Sequence, residues 1–296
     1  MIRVARMEKG DVEEAAAILF DAFGVVYRQR GHVPPFPTRE SAAWLCRAYL
    51  DLDPTGCVMA RVGGEAVGVG FAHPRGPVTS IGPLAARPGA QPGVARALMA
   101  ELARAGNDAT SARLFQDAFN PDSFGLYARL GYVVADVAPY LLAERMVVPG
   151  KPPGDQPRVR MLRADDLPAV ERYDRSRGGA DRRADFALLA STGSGFVIED
   201  GRGDLGGFLF YRSLPARVVI GPGTAETENA MGDLIDAVAF AVPGRAAVIR
   251  ASAANPAVLV RAFSRGFRVD HLGNLMVKGP YRAPPAQLYA LFPESL

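Results

Sequence analysis

The chain has 296 residues, 49% of them apolar and 22% charged, so it is long enough for two domains with separate cores and has no apolar run long enough to cross a membrane. Its formal charge is only +3, and the basic residues, almost all arginine apart from Lys9, Lys151 and Lys278, are interleaved with acids as in 163–177, which argues against nucleic-acid binding. Two cysteines (Cys46, Cys57) in so long a chain argue against a disulfide framework, and three scattered histidines (His32, His73, His271) without cysteines at ligand spacing argue against a metal site. The first eleven residues lack the apolar core of a signal peptide, so a cytoplasmic protein is expected.

In chain order, a first strand leads into the helical stretch RMEKGDVEEAAAI. The segment 26–50 follows, carrying Tyr27, Arg28, Arg30, His32, Phe36, Glu40, Trp44 and Tyr49. A hairpin is expected over 57–72, two strands flanking a glycine turn. From Ser80 to Ala86 the pattern is a buried strand, then Gly89, Pro92 and Gly93 force a turn, and Val94, Ala97, Leu98 and Leu102 recur at the spacing of one helix face. Such a turn presents free backbone N–H groups at the positive end of a helix dipole, where a phosphate binds without a cationic side chain. Small size matters at Gly93, because a Cβ there would hold an anion off the backbone. The copy closes with a strand over 112–119, a helix over 121–131 holding Phe124, Tyr127 and Ala128, and a strand over 140–148.

The same order is then written a second time. Asn120-Pro121 followed eleven residues later by Gly131-Tyr132 recurs as Asn255-Pro256 and Gly266-Phe267. Ile81-Gly82-Pro83 recurs as Ile220-Gly221-Pro222, the hairpin as 195–211, and Asp11 matches Asp166. The offset between copies falls from 155 at the aspartates to 139 at the isoleucines and 135 at the asparagines, which puts an insertion in 26–50 of the first copy. Loops of that kind on a fixed scaffold build substrate pockets. The proline- and glycine-rich stretch 149–157 is the expected linker between domains 1–148 and 158–296.

LAARPGAQPGVARALM (84–99) resembles the acyl-coenzyme A signature of the GNAT N-acetyltransferase superfamily, and NPDSFGLYARLGY (120–132) resembles that family's later motif. With the repeat, the resemblance implies an α/β protein of two tandem GNAT-like domains, each a mixed, mostly antiparallel twisted sheet with helices on both faces. It implies an acyl-CoA-dependent N-acetyltransferase that moves an acetyl group from acetyl-CoA to a primary amine of a small molecule, without a metal, as a monomer or homodimer. The alternative is a non-catalytic acyl-CoA-binding or sensing protein.

By the same resemblance Leu84 and Ala86 offer strand backbone groups to the pantetheine arm, and Gln91, Gly93, Val94, Ala95 and Arg96 wrap the pyrophosphate through main-chain N–H groups, with Arg87 or Arg96 adding charge. Asn120 lies near the pantetheine or thioester end, and Tyr127 protonates the departing thiolate. The turn 88–93 is one residue tighter than the family pattern. The second copy departs further: 221–238 keeps no such turn, Glu226 and Glu228 fall where a phosphate would be repelled, and Ala262 stands where the first copy has Tyr127. Chemistry is therefore expected in the first domain alone. For the general base, His32, Glu40, Glu65, His73 and Asp117 are the candidates, beside an ordered water.

Overall fold

A computed structural model of the chain describes residues 1–106, 108–150 and 159–290; residues 151–157 of the expected linker lie outside the described residues. The chain divides into two compact units, Met1–Val133 with Met276–Pro280 and Val134–Leu275 with Tyr281–Leu296.

The first copy runs β1 (Ile2–Arg6), α1 (Val12–Gln29), α2 (Arg39–Leu52), β2 (Cys57–Val62), β3 (Glu65–Arg75), β4 (Val78–Ala86), α3 (Val94–Ala105), β5 (Ser111–Asp117), α4 (Pro121–Arg129) and β6 (Val133–Ala143). The second runs β7 (Val159–Met161), α5 (Leu167–Gly178), α6 (Arg183–Thr192), β8 (Ser194–Glu199), β9 (Leu205–Ser213), β10 (Val218–Ala225), α7 (Glu228–Ala241), β11 (Ala247–Arg250), α8 (Pro256–Ser264), β12 (Arg268–Lys278) and β13 (Ala286–Leu288). The repeat is thus real at the level of elements, and β13 is an addition to the second copy. The Gly82–Pro83 and Gly221–Pro222 peptide bonds are both cis.

In the first unit the strand order is β1-β2-β3-β4-β5. Neighbours are antiparallel except β4 and β5, which run parallel. Helices cover both faces, as alternation along β3 shows. A Cβ at Gly68 or Gly70 would strike Val94, Leu98 or Leu102 of α3, whereas Phe71 and His73, on the opposite face, pack against Tyr49 of α2. The α3 face buries Val94, Leu98, Met99 and Leu102 against Val58, Ala60, Ile81 and Leu114. Each such side chain contributes roughly 1.5–3 kcal/mol by leaving water.

The second unit repeats this arrangement, in the order β12-β6-β11-β10-β9-β8-β7 with β13 beside β10. Its parallel pair is β10 with β11. Met231, Leu234, Ile235 and Val238 of α7 pack with Leu209, Ile220 and Ile249, while Tyr173 and Phe186 of α5 and α6 pack with Val197, Phe208 and Phe210 on the other face.

Three expectations need correction. The expected closing strand over 140–148 is β6, which begins at Val133 and ends at Ala143. Its residues Tyr140–Ala143 pair with β11, so this strand belongs to the second unit, while Met276–Pro280 from the second copy belongs to the first. Met146 and Val147 donate isolated backbone bonds to Arg245 and Arg265, and neither lies in a strand. Finally, the extra length in 26–50 is not mainly loop: α1 has 18 residues against 12 in α5, and α2 has 14 against 10 in α6.

Candidate functional site

Strands β4 and β5 pair in parallel only over Val78–Ser80 and Ser111–Arg113. Beyond Ser80 they part. On its other edge β4 stays paired to β3, through a bulge between Gly70 and Ala72, as far as Ala86. A bulge bends one strand away from its partner. Across the gap towards β5, the backbone of Gly82–Ala86 has no strand partner among the described residues. Exposed strand edges of this kind accept an extended, amide-bearing chain.

At the end of β4 the chain turns, with Ala90 N–H donating to the Arg87 carbonyl (2.9 Å), and enters α3. Gly93 is the N-cap, with φ +98° and no side-chain cap, and the first helical bond runs from Ala97 to Gly93. The N–H groups of Val94, Ala95 and Arg96 therefore belong to the first helical turn, where no intrahelical acceptor exists. They point out of the helix at its positive end. Only glycine adopts that φ without strain. Gln91, Gly93 and Arg96 are exposed and Ala95 half-buried, while the Val94 side chain is in the core. Arg87 departs from expectation: its guanidinium turns back to the Ala66 carbonyl (3.1 Å) and lies 4.0 Å from Glu65.

Leu84 and Ala86 are half-buried on β4. Asn120 is the N-cap of α4, its Oδ1 accepting from Ser123 N–H at 3.3 Å. Tyr127, about two helix turns further on, is 8% exposed, with its ring edge to Tyr132 and its body among Leu98, Met99 and Leu114. Burial, reinforced by the charge of Asp117, holds its phenol well above the ordinary tyrosine value. The hydroxyl thus stays protonated. It is also a poorer acid than an exposed tyrosine, against the close match to a thiol expected from the sequence.

The candidate bases separate cleanly. His73 is fully buried, its Nδ1 2.7 Å from Asp53 and its Nε2 3.1 Å from the Gly82 carbonyl, so both nitrogens are engaged. Arg75 grips Asp53 with two bonds of 2.8 Å. Burial raises the Asp53 pKa, but hydrogen bonds from Arg75 and His73 outweigh it and leave the carboxyl below its usual range. This buried cluster braces β4 at Gly82, two residues after its pairing with β5 ends. Glu40 is exposed and paired with Arg47, Glu65 is exposed, and His32 stacks on Phe119 at 4.6 Å. Asp117 remains. It sits at the C-terminal end of β5, half-buried, and accepts from the Tyr27 hydroxyl at 2.7 Å. Phe119 meets Tyr27 edge-on at 5.0 Å, and Phe23 meets Phe36 at 5.6 Å. Both cysteines are buried, their thiols pushed up to about 12 by burial.

The corresponding groups of the second unit are used by the protein itself. Thr227 caps α7, its Oγ1 accepting from Ala230 N–H at 3.1 Å. Glu228 accepts from Ala257 N–H at 2.6 Å and Val258 N–H at 3.3 Å at the start of α8, and Glu226 pairs with Arg177. The gap between β10 and β11 holds β13.

The Acetyltransferase (GNAT) family model matches residues 19–132, and a second model, Acetyltransferase (GNAT) domain, matches 170–290. Among solved structures, a candidate acetyltransferase of Pyrococcus horikoshii is similar over 96% of this chain and 91% of its own, with 19% identity and a TM-score of 0.75. A GCN5-related N-acetyltransferase of Sphaerobacter thermophilus aligns over 95% and 96% at 14% identity (TM-score 0.63). A tandem GNAT protein from the clavulanic acid biosynthesis pathway, solved without acetyl-CoA, aligns over 94% and 98% at 15% identity (TM-score 0.61). A sequence comparison with curated proteins finds no match. With a GNAT match on each copy and the fold shared over nearly its whole length, the chain is a member of the GNAT acetyltransferase superfamily that carries two of its domains in tandem.

Proposed function

We propose that the protein is an acyl-CoA-dependent N-acetyltransferase that acts on a primary amine of a small molecule, with the chemistry in the first unit. The observation that carries this reading is the gap between β4 and β5, bordered by an uncapped α3, against the filled gap of the second unit. The donor set fits the coenzyme: main-chain N–H groups for phosphates at the helix start, and strand edge for an amide-bearing arm. Gly93, Val94, Ala95 and Arg96 would hold the pyrophosphate, with Gln91 beside them; Leu84, Ala86 and Asn120 would hold the arm. Bound acetyl-CoA supplies the activated acyl carbonyl.

The chain's own residues then have two tasks. Asp117, held by Tyr27, offers a carboxylate to the acceptor's ammonium and takes its proton. Tyr127 keeps a proton on its hydroxyl for the departing thiolate. Burial of Tyr127 is also the observation that favours the second reading, a non-catalytic acyl-CoA sensor, because a phenol shielded from solvent and raised in pKa is a weak proton donor.

Release of free thiol from acetyl-CoA, measured against a panel of small amines, tests the proposal. Tyr127→Phe is expected to lower turnover by about 100-fold with coenzyme binding unchanged. Tight binding of acetyl-CoA with no thiol release from any amine favours the sensor. No heat-stabilisation by acetyl-CoA rejects both. No helix among the described residues is long and apolar enough to cross a membrane.

A further inference from the structure

The gap between β10 and β11 opens where the matching gap of the first unit does. Parallel pairing covers Val218–Ile220 with Ala247–Ile249 and stops just before Gly221, within one residue of the matching point on β4, where it stops at Ser80 before Gly82. Here the chain's last described stretch enters. Gly223, Thr224 and Ala225 of β10 pair antiparallel with Leu288, Gln287 and Ala286 of β13. From the opposite side Ala251 bridges to Leu288, and Tyr289 N–H donates to the Arg250 carbonyl at 2.8 Å. The segment is therefore bonded along both edges.

Asn255, the residue that matches Asn120, reads the same segment. Its Nδ2 donates to the Pro285 carbonyl at 2.9 Å and its Oδ1 accepts from Gln287 N–H at 3.1 Å. These are backbone contacts two residues apart, the repeat of an extended chain. Ala286, Leu288, Tyr289 and Ala290 are all at most 1% exposed. The fit is close: a Cβ on Gly221 would lie 2.5 Å from the Tyr289 carbonyl oxygen, so only glycine lets the segment pass. The Tyr289 hydroxyl donates to Asp136 and fixes the far end.

The structure assigns to this cleft a ligand class of its own: an extended polypeptide, recognised through its main chain, with residues 281–290 of the same chain as its permanent occupant. Recognition is by strand addition on one side and by an asparagine clamp on the other. Tethering keeps the effective concentration of the occupant high, so an acyl-CoA arm, which needs the same edge of β10, has no access. The inference stands apart from the reading of the first unit, and its test separates the two.

Hydrogen exchange on the full chain gives the first result. The amides of 286–289 are expected to be as protected as those of β10, and their exchange is expected to be unchanged by saturating acetyl-CoA, with at most one coenzyme per chain by native mass spectrometry. Gln287→Pro removes the N–H that Asn255 accepts and is expected to speed exchange over 284–290 by roughly tenfold or more, the size of one lost hydrogen bond. A synthetic peptide of residues 281–290 is then expected to restore protection to Gly223–Ala225. If Gln287→Pro does not fold, Asn255→Ala removes both clamp bonds and leaves the strand pairing. Exchange at 286–289 as fast as in an exposed loop, exchange accelerated by acetyl-CoA, or two coenzymes per chain would each overturn the assignment. Protected 286–289 with no coenzyme bound at all would leave it standing and reject the acetyltransferase reading instead.

Discussion

In the first unit the pairing of β4 with β5 ends at Ser80, and the strand edge from Gly82 to Ala86 meets no strand across the gap among the described residues. In the second the pairing of β10 with β11 ends at Ile220, and β13 takes the gap. The helix starts differ in the same sense: Gly93 leaves the first turn of α3 uncapped, while Thr227 closes that of α7. So do the matched asparagines, since Asn120 caps its own helix and Asn255 clamps the inserted segment. Buried or half-buried backbone groups need partners. Where the protein supplies those partners the cleft is spent; where it does not, a ligand can. On the reading proposed above, this contrast is what assigns the coenzyme to the first unit.

Breaking a buried ion pair in each unit sharpens this contrast with the largest expected effect. Asp53 with Arg75 and His73 in the first unit, and Asp174 with Arg182 in the second, are both almost fully enclosed. Asp53→Asn and Asp174→Asn are each expected to cost about 3 kcal/mol of stability, because a partner charge is left buried. Only Asp53→Asn is also expected to raise KM for acetyl-CoA, since His73 then loses its hold on the Gly82 carbonyl, where β4 leaves β5. Urea unfolding and steady-state kinetics measure the two effects separately. The acid side gives a further signature. The folded pKa of Asp53 is depressed, so its contribution is fully present above the unfolded value of about 4 and is lost as pH falls through the lower folded value. The wild-type urea midpoint is expected to fall more steeply below about pH 4 than that of Asp53→Asn.

A smaller effect is expected from Gly93→Val. With φ at +98° any side chain is strained by about 1–3 kcal/mol, and the β-branched one most. Relief of that strain moves the amides of the first turn, so KM for acetyl-CoA is expected to rise about 10–100-fold while kcat changes little. An unchanged KM would place the phosphates elsewhere.

How far the sequence foretold this arrangement depends on the kind of signal. Landmarks tied to local backbone geometry were legible: Gly131 and Gly266 both end a helix at positive φ (+89° and +85°), and the two Ile-Gly-Pro triplets stand where each parallel pairing stops. What depends on distant partners was not. Ala286–Leu288 is three residues beside two prolines, with no alternation to read, and is a strand only because the gap shapes it. The exchange of β6 and the end of β12 between units was equally silent, because periodicity says which residues are buried and not which neighbour buries them. His73 was readable as a candidate base from its residue type; Asp53 and the Gly82 carbonyl, which engage it, and Arg75, which holds Asp53, are recognisable only in the folded chain. Tyr127 carries both lessons: its place on α4 and its core packing followed from helix spacing, the raised pKa of its phenol did not.

The smallest effect tests the closed half alone. Thr227→Ala removes the hydroxyl that accepts from Ala230 N–H and leaves one donor of α7 unpaired in the protein. Caps of this kind are worth about 1 kcal/mol. The urea midpoint is expected to drop accordingly, while KM for acetyl-CoA, kcat and coenzyme stoichiometry stay as in the wild type. An uncapped α7 resembles α3 at its start but still faces a gap filled by β13, so a free helix terminus without an open strand edge binds no coenzyme. Appearance of a second coenzyme in Thr227→Ala would mean that the cap, and not the inserted strand, is what closes the second cleft.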